Sequence, residues 1–249
     1  MKRSAVLMLS AAIGTFSLSG CVSTTGTQQE TSSSGTSSIW GSTPDKDAKA
    51  PYLPSSLFVG EATNFVGWSC SPSQNLVTAA QPDALRVWSS AGGQQLPQTV
   101  VASGSRYENG DLSVWLKGDE ATVENARGRL ECQAQVQRDS LRRAEKPGVM
   151  FYATGNEPGW SMSLANDVPK IDLSLDYGER KASLPYRVST LDNGAGRVIL
   201  VSGRSDAPFE ARIEAGACFD DMSGTPWPAK VTLTLNGQQY RGCGQGIAP

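Results

Sequence analysis

Histidine is absent from all 249 residues. That removes Ser-His-Asp and Cys-His nucleophile systems and most zinc sites, which depend on imidazole as base or ligand. Carboxylate-only and lysine-based chemistry stay open. Cysteine is scarce: five residues with no C-x-x-C pair among them, a poor supply for thiolate metal ligation. A basic excess is also missing, since 22 Lys and Arg stand against 24 Asp and Glu. Such a balance does not suit a nucleic-acid binder, which needs a cationic face against phosphate. The apolar run Ala5–Leu18 is broken by Ser and Gly and falls short of the roughly 20 residues of a transmembrane helix.

What is present begins with an address. Met1-Lys2-Arg3 is a positive n-region, Ala5–Leu18 a short h-region, and Leu18-Ser19-Gly20-Cys21 resembles the bacterial lipobox,. The resemblance implies that residues 1–20 are removed and that Cys21 is lipidated, anchoring the chain to a membrane through its acyl chains. Val22 rather than Asp follows the cysteine; by the sorting rules of such lipoproteins this implies the outer membrane, facing the periplasm. Without Lys2 and Arg3 the mature chain has 20 basic and 24 acidic residues, about −4, a charge suited to a basic protein partner. Residues 21–56 are rich in Ser, Thr, Gly and Gln. They bury too little apolar surface to offset their ordering entropy and are expected to form a flexible tether.

The remainder reads as all-β in two parts. Residues 57–134 carry short apolar runs punctuated by turns, with Asn109-Gly110 as a hairpin signal between Val100–Tyr107 and Leu112–Leu116,. A small antiparallel barrel or sandwich is expected there. Residues 135–148, in the stretch Gln133–Glu145 that lacks Gly and Pro, are expected to be a short helical connector ending before Pro147,. Residues 149–249 are β-patterned again, at Val149–Thr154, Trp160–Leu164, Ile171–Leu175, Arg197–Gly203, Phe209–Ile213 and Val231–Leu235. No clear internal repeat relates the two parts. Four cysteines remain after Cys21; they allow three connectivities. Locality favours Cys70–Cys132 and Cys218–Cys243, one bridge per part, in an oxidising compartment.

In the first part, Phe65-Val66-Gly67-Trp68-Ser69-Cys70, Ala102-Ser103-Gly104-Ser105-Arg106-Tyr107, Val114-Trp115-Leu116-Lys117-Gly118-Asp119-Glu120-Ala121 and Cys132 recur in order. Together they resemble the membrane-bound inhibitor of c-type lysozyme (MliC) family over about residues 60–135. The resemblance implies an eight-stranded antiparallel barrel, closed by a disulfide between its first and last strands, that blocks animal c-type lysozymes. The family's Ser-Gly-x-x-Tyr motif falls on Ser103, Gly104 and Tyr107. Its Tyr-x-x-x-Thr-Lys-Gly motif is met at Lys117 and Gly118, with Leu112 in place of Tyr and Leu116 in place of Thr. It implies that Ser103 and Lys117 enter the lysozyme cleft. The chemistry agrees: lysozyme works with one protonated and one ionised carboxyl, which a hydroxyl and an ammonium on a rigid protrusion would match. Tyr107 and Trp115 are read as barrel packing.

In the second part, Phe151–Trp160 and Cys218–Pro228, with Tyr240-Arg241-Gly242-Cys243-Gly244, resemble an uncharacterised family of bacterial envelope proteins. Glu157, Asp220 and Asp221 near Trp160 and Trp227 are the material of a glycan site, but Asn156–Gly159 and Asp221–Gly224 read better as turns with polar caps. No enzyme activity and no cofactor is expected. The partners expected are c-type lysozyme and the membrane, with peptidoglycan within reach. The rival reading is a structural or peptidoglycan-associated envelope lipoprotein without inhibitory activity.

Overall fold

A computed structural model describes residues 48–247. The signal segment, Cys21 and the Ser/Thr-rich stretch up to residue 47 lie outside the described residues. The first part forms strands β1 (Asn64–Ser71), β2 (Asn75–Ala80), β3 (Ala84–Ser89), β4 (Gly92–Thr99), β5 (Ser105–Asn109), β6 (Leu112–Lys117), β7 (Glu120–Asn125) and β8 (Gly128–Asp139). Each pairs antiparallel with the next, and β8 returns to β1, closing a barrel. The second part forms β9 (Val149–Asn156), β10 (Gly159–Ala165), β11 (Lys170–Leu175), β12 (Arg180–Asp192), β13 (Arg197–Ser202), β14 (Phe209–Phe219), β15 (Pro226–Leu235) and β16 (Gln238–Gly246). It closes in the same way, β16 against β9. Two barrels of identical strand order thus stand on sequences with no visible repeat. Closure leaves neither sheet an open edge.

Period-two burial explains the strands. In β11 Ile171, Leu173 and Leu175 are buried between half-exposed Lys170, Asp172 and Ser174; in β13 Val198 and Leu200 do the same,. The first interior holds Trp68, Leu76, Leu85, Val87, Leu96, Tyr107, Val114 and Val123. Cys70 and Cys132, partners across β1 and β8, are bonded there. Cys218 and Cys243 bridge β14 to β16. With the bonded cysteines 62 and 25 positions apart, each bridge restrains the unfolded chain by about 3–4 kcal/mol.

The two barrels share buried ground. β2 is buried on both faces: Leu76 and Thr78 face the first interior, while Val77 and Ala79 join a cluster with the second barrel's core. That cluster also takes Phe65 and Trp88 from the first barrel and Leu53, Leu57, Val59 and Ala62 from the segment before it. The expected tether therefore ends before Leu53: Leu57 is fully buried and Trp88 Nε1–H donates to the Ser56 carbonyl at 2.7 Å. Full burial of each such side chain contributes about 1.5–3 kcal/mol. Gly67 lies against the second barrel, beside Phe219 and Pro226. A Cβ there would fall 2.6 Å from the Phe219 ring, so only hydrogen fits.

The helical connector expected over 135–148 does not form. Gln133–Asp139 continue β8, and a turn follows, with Lys146 N–H donating to the Arg142 carbonyl at 3.1 Å. The stretch lacks Gly and Pro, but Ala134, Val136 and Arg138 alternate with Gln133, Gln135 and Gln137. That is a period of two, and β1 offers a ladder: Phe65 pairs with Arg138 and Val66 with Gln137. The extension carries Arg138 between the barrels. Its guanidinium lies 3.6 Å from the Trp227 ring centroid and 4.6 Å from that of Phe65. It donates to the Pro226 carbonyl at 3.0 Å, to Gln245 Oε1 at 2.8 Å and to the Asp139 carbonyl at 2.9 Å. Burial pulls its pKa down to about 10, so it remains charged at neutral pH.

Candidate functional site

β6 sorts its side chains by parity. Val114 is buried in the first barrel, and Leu112 and Leu116 pack on the same interior. Ser113, Trp115 and Lys117 therefore take the outer face. Ser105 pairs with Leu116 and Arg106 with Trp115, which brings the loop before β5, residues 100–104, alongside the end of β6. Gly104 makes that approach feasible. Its φ is +69°, and a Cβ would sit 2.5 Å from the Leu116 carbonyl oxygen and 3.0 Å from Trp115 Nε1,.

The indole of Trp115 then meets both sequence-predicted groups. Its Nε1–H donates to the Ser103 carbonyl at 3.1 Å, and Lys117 Nζ lies 3.6 Å from its ring centroid. Ser103, Gly104, Lys117 and Gly118 are exposed, and Trp115 is half-buried. Tyr107 stands apart from them at 5% exposure, its side chain in the barrel interior. The second barrel packs against β1–β4 and the end of β8, leaving this rim open.

Among nearby cations, Arg106 pairs with Glu108 at 2.7 Å, and Arg129 with Glu124 at 2.9 Å and with Glu131. Lys117 has no carboxylate within ion-pair distance among the described residues, although Glu120 is its partner across β6 and β7. A groove of about 550 Å³ runs from it over the outer wall, past Trp115, Thr122, Glu131, Ser69 and Ser71. The arrangement presents an uncommitted ammonium and a hydroxyl-bearing loop on a rigid wall, material for recognising a carboxylate-lined cleft.

The second barrel offers less. Asp220 is occupied: Oδ2 accepts from Asn156 Nδ2 at 2.7 Å, and Oδ1 from the Ser223 N–H at 2.8 Å, the Ser223 hydroxyl at 2.6 Å and the Met222 N–H at 3.2 Å. Partial burial pushes this carboxyl up, but those hydrogen bonds together hold it below the ordinary Asp range,. It caps a turn. Glu157 and Asp221 are exposed, and Trp160 and Trp227 are buried. Among the described residues no group of three Cys, Asp or Glu side chains is placed to hold a metal ion.

With this geometry in view, the comparison with known families is specific. Residues 68–131 match the family model of MliC, membrane-bound lysozyme-inhibitor of c-type lysozyme. The MliC match starts at Trp68 in β1 and ends at Glu131 in β8. It takes in the Ser103 loop and the whole of β6 and includes nothing of the second barrel. No curated protein matches the chain. Against the MliC motifs, the departures at Leu112 and Leu116 become intelligible: both side chains pack on the barrel interior, where an apolar group is at home. Trp115 is the residue sequence reasoning misassigned. It was expected in the packing, yet it shares the outward parity of Lys117, two residues on, and that spacing was the available signal.

Proposed function

We propose that this chain is a lipid-anchored outer-membrane protein that binds and inhibits c-type lysozyme, with Ser103 and Lys117 entering the active-site cleft. The observation that carries the reading is the meeting of the Ser103 backbone and the Lys117 ammonium on one half-buried indole of the outer face, within the stretch that matches an inhibitor family. In the cleft, Lys117 pairs with the ionised carboxylate and the Ser103 hydroxyl hydrogen-bonds the protonated one. Gly104 lets the backbone close up beside Leu116 and Trp115, Gly118 takes the positive φ of the turn after Lys117, and Tyr107 fills the barrel behind. Glu120 and Glu131 line the groove beside Lys117, and Asp119 lies in the turn between Lys117 and Glu120, so a basic lysozyme is steered toward this end of the barrel. Lipidation at Cys21 holds the inhibitor where lysozyme would reach peptidoglycan.

The test is a titration of the chain from Val22 onward against a c-type lysozyme acting on cell walls. Wild type inhibits, and Lys117→Ala raises Ki at least about thirtyfold, the lower end for losing one partner of a buried charge pair. Equal lack of inhibition by both proteins sinks the reading and leaves the structural envelope role.

A further inference from the structure

We propose that Trp115 is the positioning residue of the inhibitory rim: its indole sets the Ser103 loop and the Lys117 ammonium in one geometry before lysozyme arrives. The proposal rests on the inhibitor reading above. The need for such a residue follows from the sheet. β4 and β5 pair only at Gln98 with Tyr107 and Thr99 with Arg106, so the ladder ends before the loop 100–104 begins. Val100 in that loop is fully exposed and Ala102 and Ser103 are exposed as well; burial does not restrain them. The hydrogen bond that reaches Ser103 comes from Trp115 Nε1. Over the face of the same ring, Lys117 is a flexible four-carbon stem beside a turn, with no carboxylate in reach among the described residues. A free lysine loses rotamer freedom on binding. One already resting over an indole has less to lose, and the gain appears as affinity through preorganisation.

Trp115 alone among its neighbours can do this. Leu116 faces the interior, and Ser113, the outward residue of β6 besides Trp115 and Lys117, is occupied by Arg106 Nε at 3.1 Å. A phenylalanine at 115 would offer a ring to the ammonium but no donor to Ser103. A tyrosine would carry its donor at the end of the ring rather than at its flank. Indole has both a broad π-face and a flanking N–H.

The experiment uses the chain from Val22 onward with c-type lysozyme as the probe. Trp115→Phe raises Ki about fivefold, the equivalent of one ordinary hydrogen bond. Trp115→Leu, which removes the cation–π contact as well, raises it about thirtyfold. In a Lys117→Ala background Trp115→Leu has only about a fivefold effect, because part of its work was done through that ammonium; a purely structural tryptophan would give the same factor in both backgrounds. Without lysozyme, amide hydrogen exchange at Gly104 and Ser105 speeds up in Trp115→Phe while the urea midpoint stays near wild type. If Trp115→Leu does not fold, the Phe variant decides. Unchanged Ki in Trp115→Phe, or equal factors in the two backgrounds, overturns the proposal while the inhibitor reading stands. A wild type that fails to inhibit overturns both.

Discussion

Replacing Gln245 by leucine should harm this protein more than removing the buried cation it serves. Gln245 is fully buried between the barrels. Its Oε1 accepts from Arg138 Nη2 at 2.8 Å and from the Leu141 N–H at 3.2 Å, and its Nε2 donates to the Leu141 carbonyl at 3.2 Å. Leucine nearly fills the volume but strands two backbone groups and one guanidinium nitrogen. Two ordinary hydrogen bonds at about 1 kcal/mol each and one to a charged group at about 1.5–3 kcal/mol give a loss of roughly 3.5–5 kcal/mol. Arg138→Met is different. It forfeits the bonds to Pro226, Gln245 and the Asp139 carbonyl, but it also removes a largely buried charge with no carboxylate in ion-pair distance among the described residues, recovering several kcal/mol of desolvation,. Its net cost should be about 1–2 kcal/mol. The double variant should cost about 1–3 kcal/mol less than the sum of the singles, since the guanidinium that Gln245→Leu leaves unpaired is no longer there. Urea unfolding followed by tryptophan fluorescence and far-UV circular dichroism, with unchanged m-values, measures all three. Arg138→Met costing as much as Gln245→Leu, or simple additivity, would refute the reasoning.

Two further outcomes are expected. Gly104→Ala forces a Cβ against the Leu116 carbonyl and keeps a positive φ; it should cost about 1–2 kcal/mol in backbone strain and raise Ki by more than any stability-matched change on the second barrel, as read by inhibition and thermal melts. Asp220→Asn should destabilise at pH 7. Because the folded-state pKa is depressed, the difference from wild type should be fully present above the ordinary Asp pKa and fade as pH falls through the lower folded value; a gap that persists in acid argues against a charged cap.

Legibility varied with how much of each strand's environment was local. Ile171, Leu173 and Leu175 alternate cleanly against polar neighbours and were readable. β12 was not: Arg180–Asp192 carries Pro185 and three basic residues, and its ladder is supplied by β11 and β13. β16 is six glycines and glutamines in nine residues, yet β15 and β9 hold it on both sides. β2 lacks a period-two signature for the opposite reason. Leu76, Val77, Thr78 and Ala79 are all buried, so the alternation that marks a half-exposed strand is erased by the second barrel pressing on its outer face. Between 133 and 139 the absence of Gly and Pro suits a helix, but the two-residue alternation of glutamine suits a strand, and the ladder offered by β1 decides for the strand.

Taken alone, the amino-acid order determined the all-β character, the division into two parts, the resemblance of the first to lysozyme inhibitors and the residues Ser103 and Lys117 as a pair to watch. These depend on periodicity, turn chemistry and short motifs, which are local. Tertiary structure decided that the second part also closes into an eight-stranded barrel, that Arg138 and Gln245 join the two, and that Trp115 stands between the serine loop and the lysine. Apart from the neighbouring Trp115–Lys117 pair, those depend on contacts between residues from 12 to 107 positions apart, where close packing and the need to satisfy buried polar groups, not local pattern, select the partners.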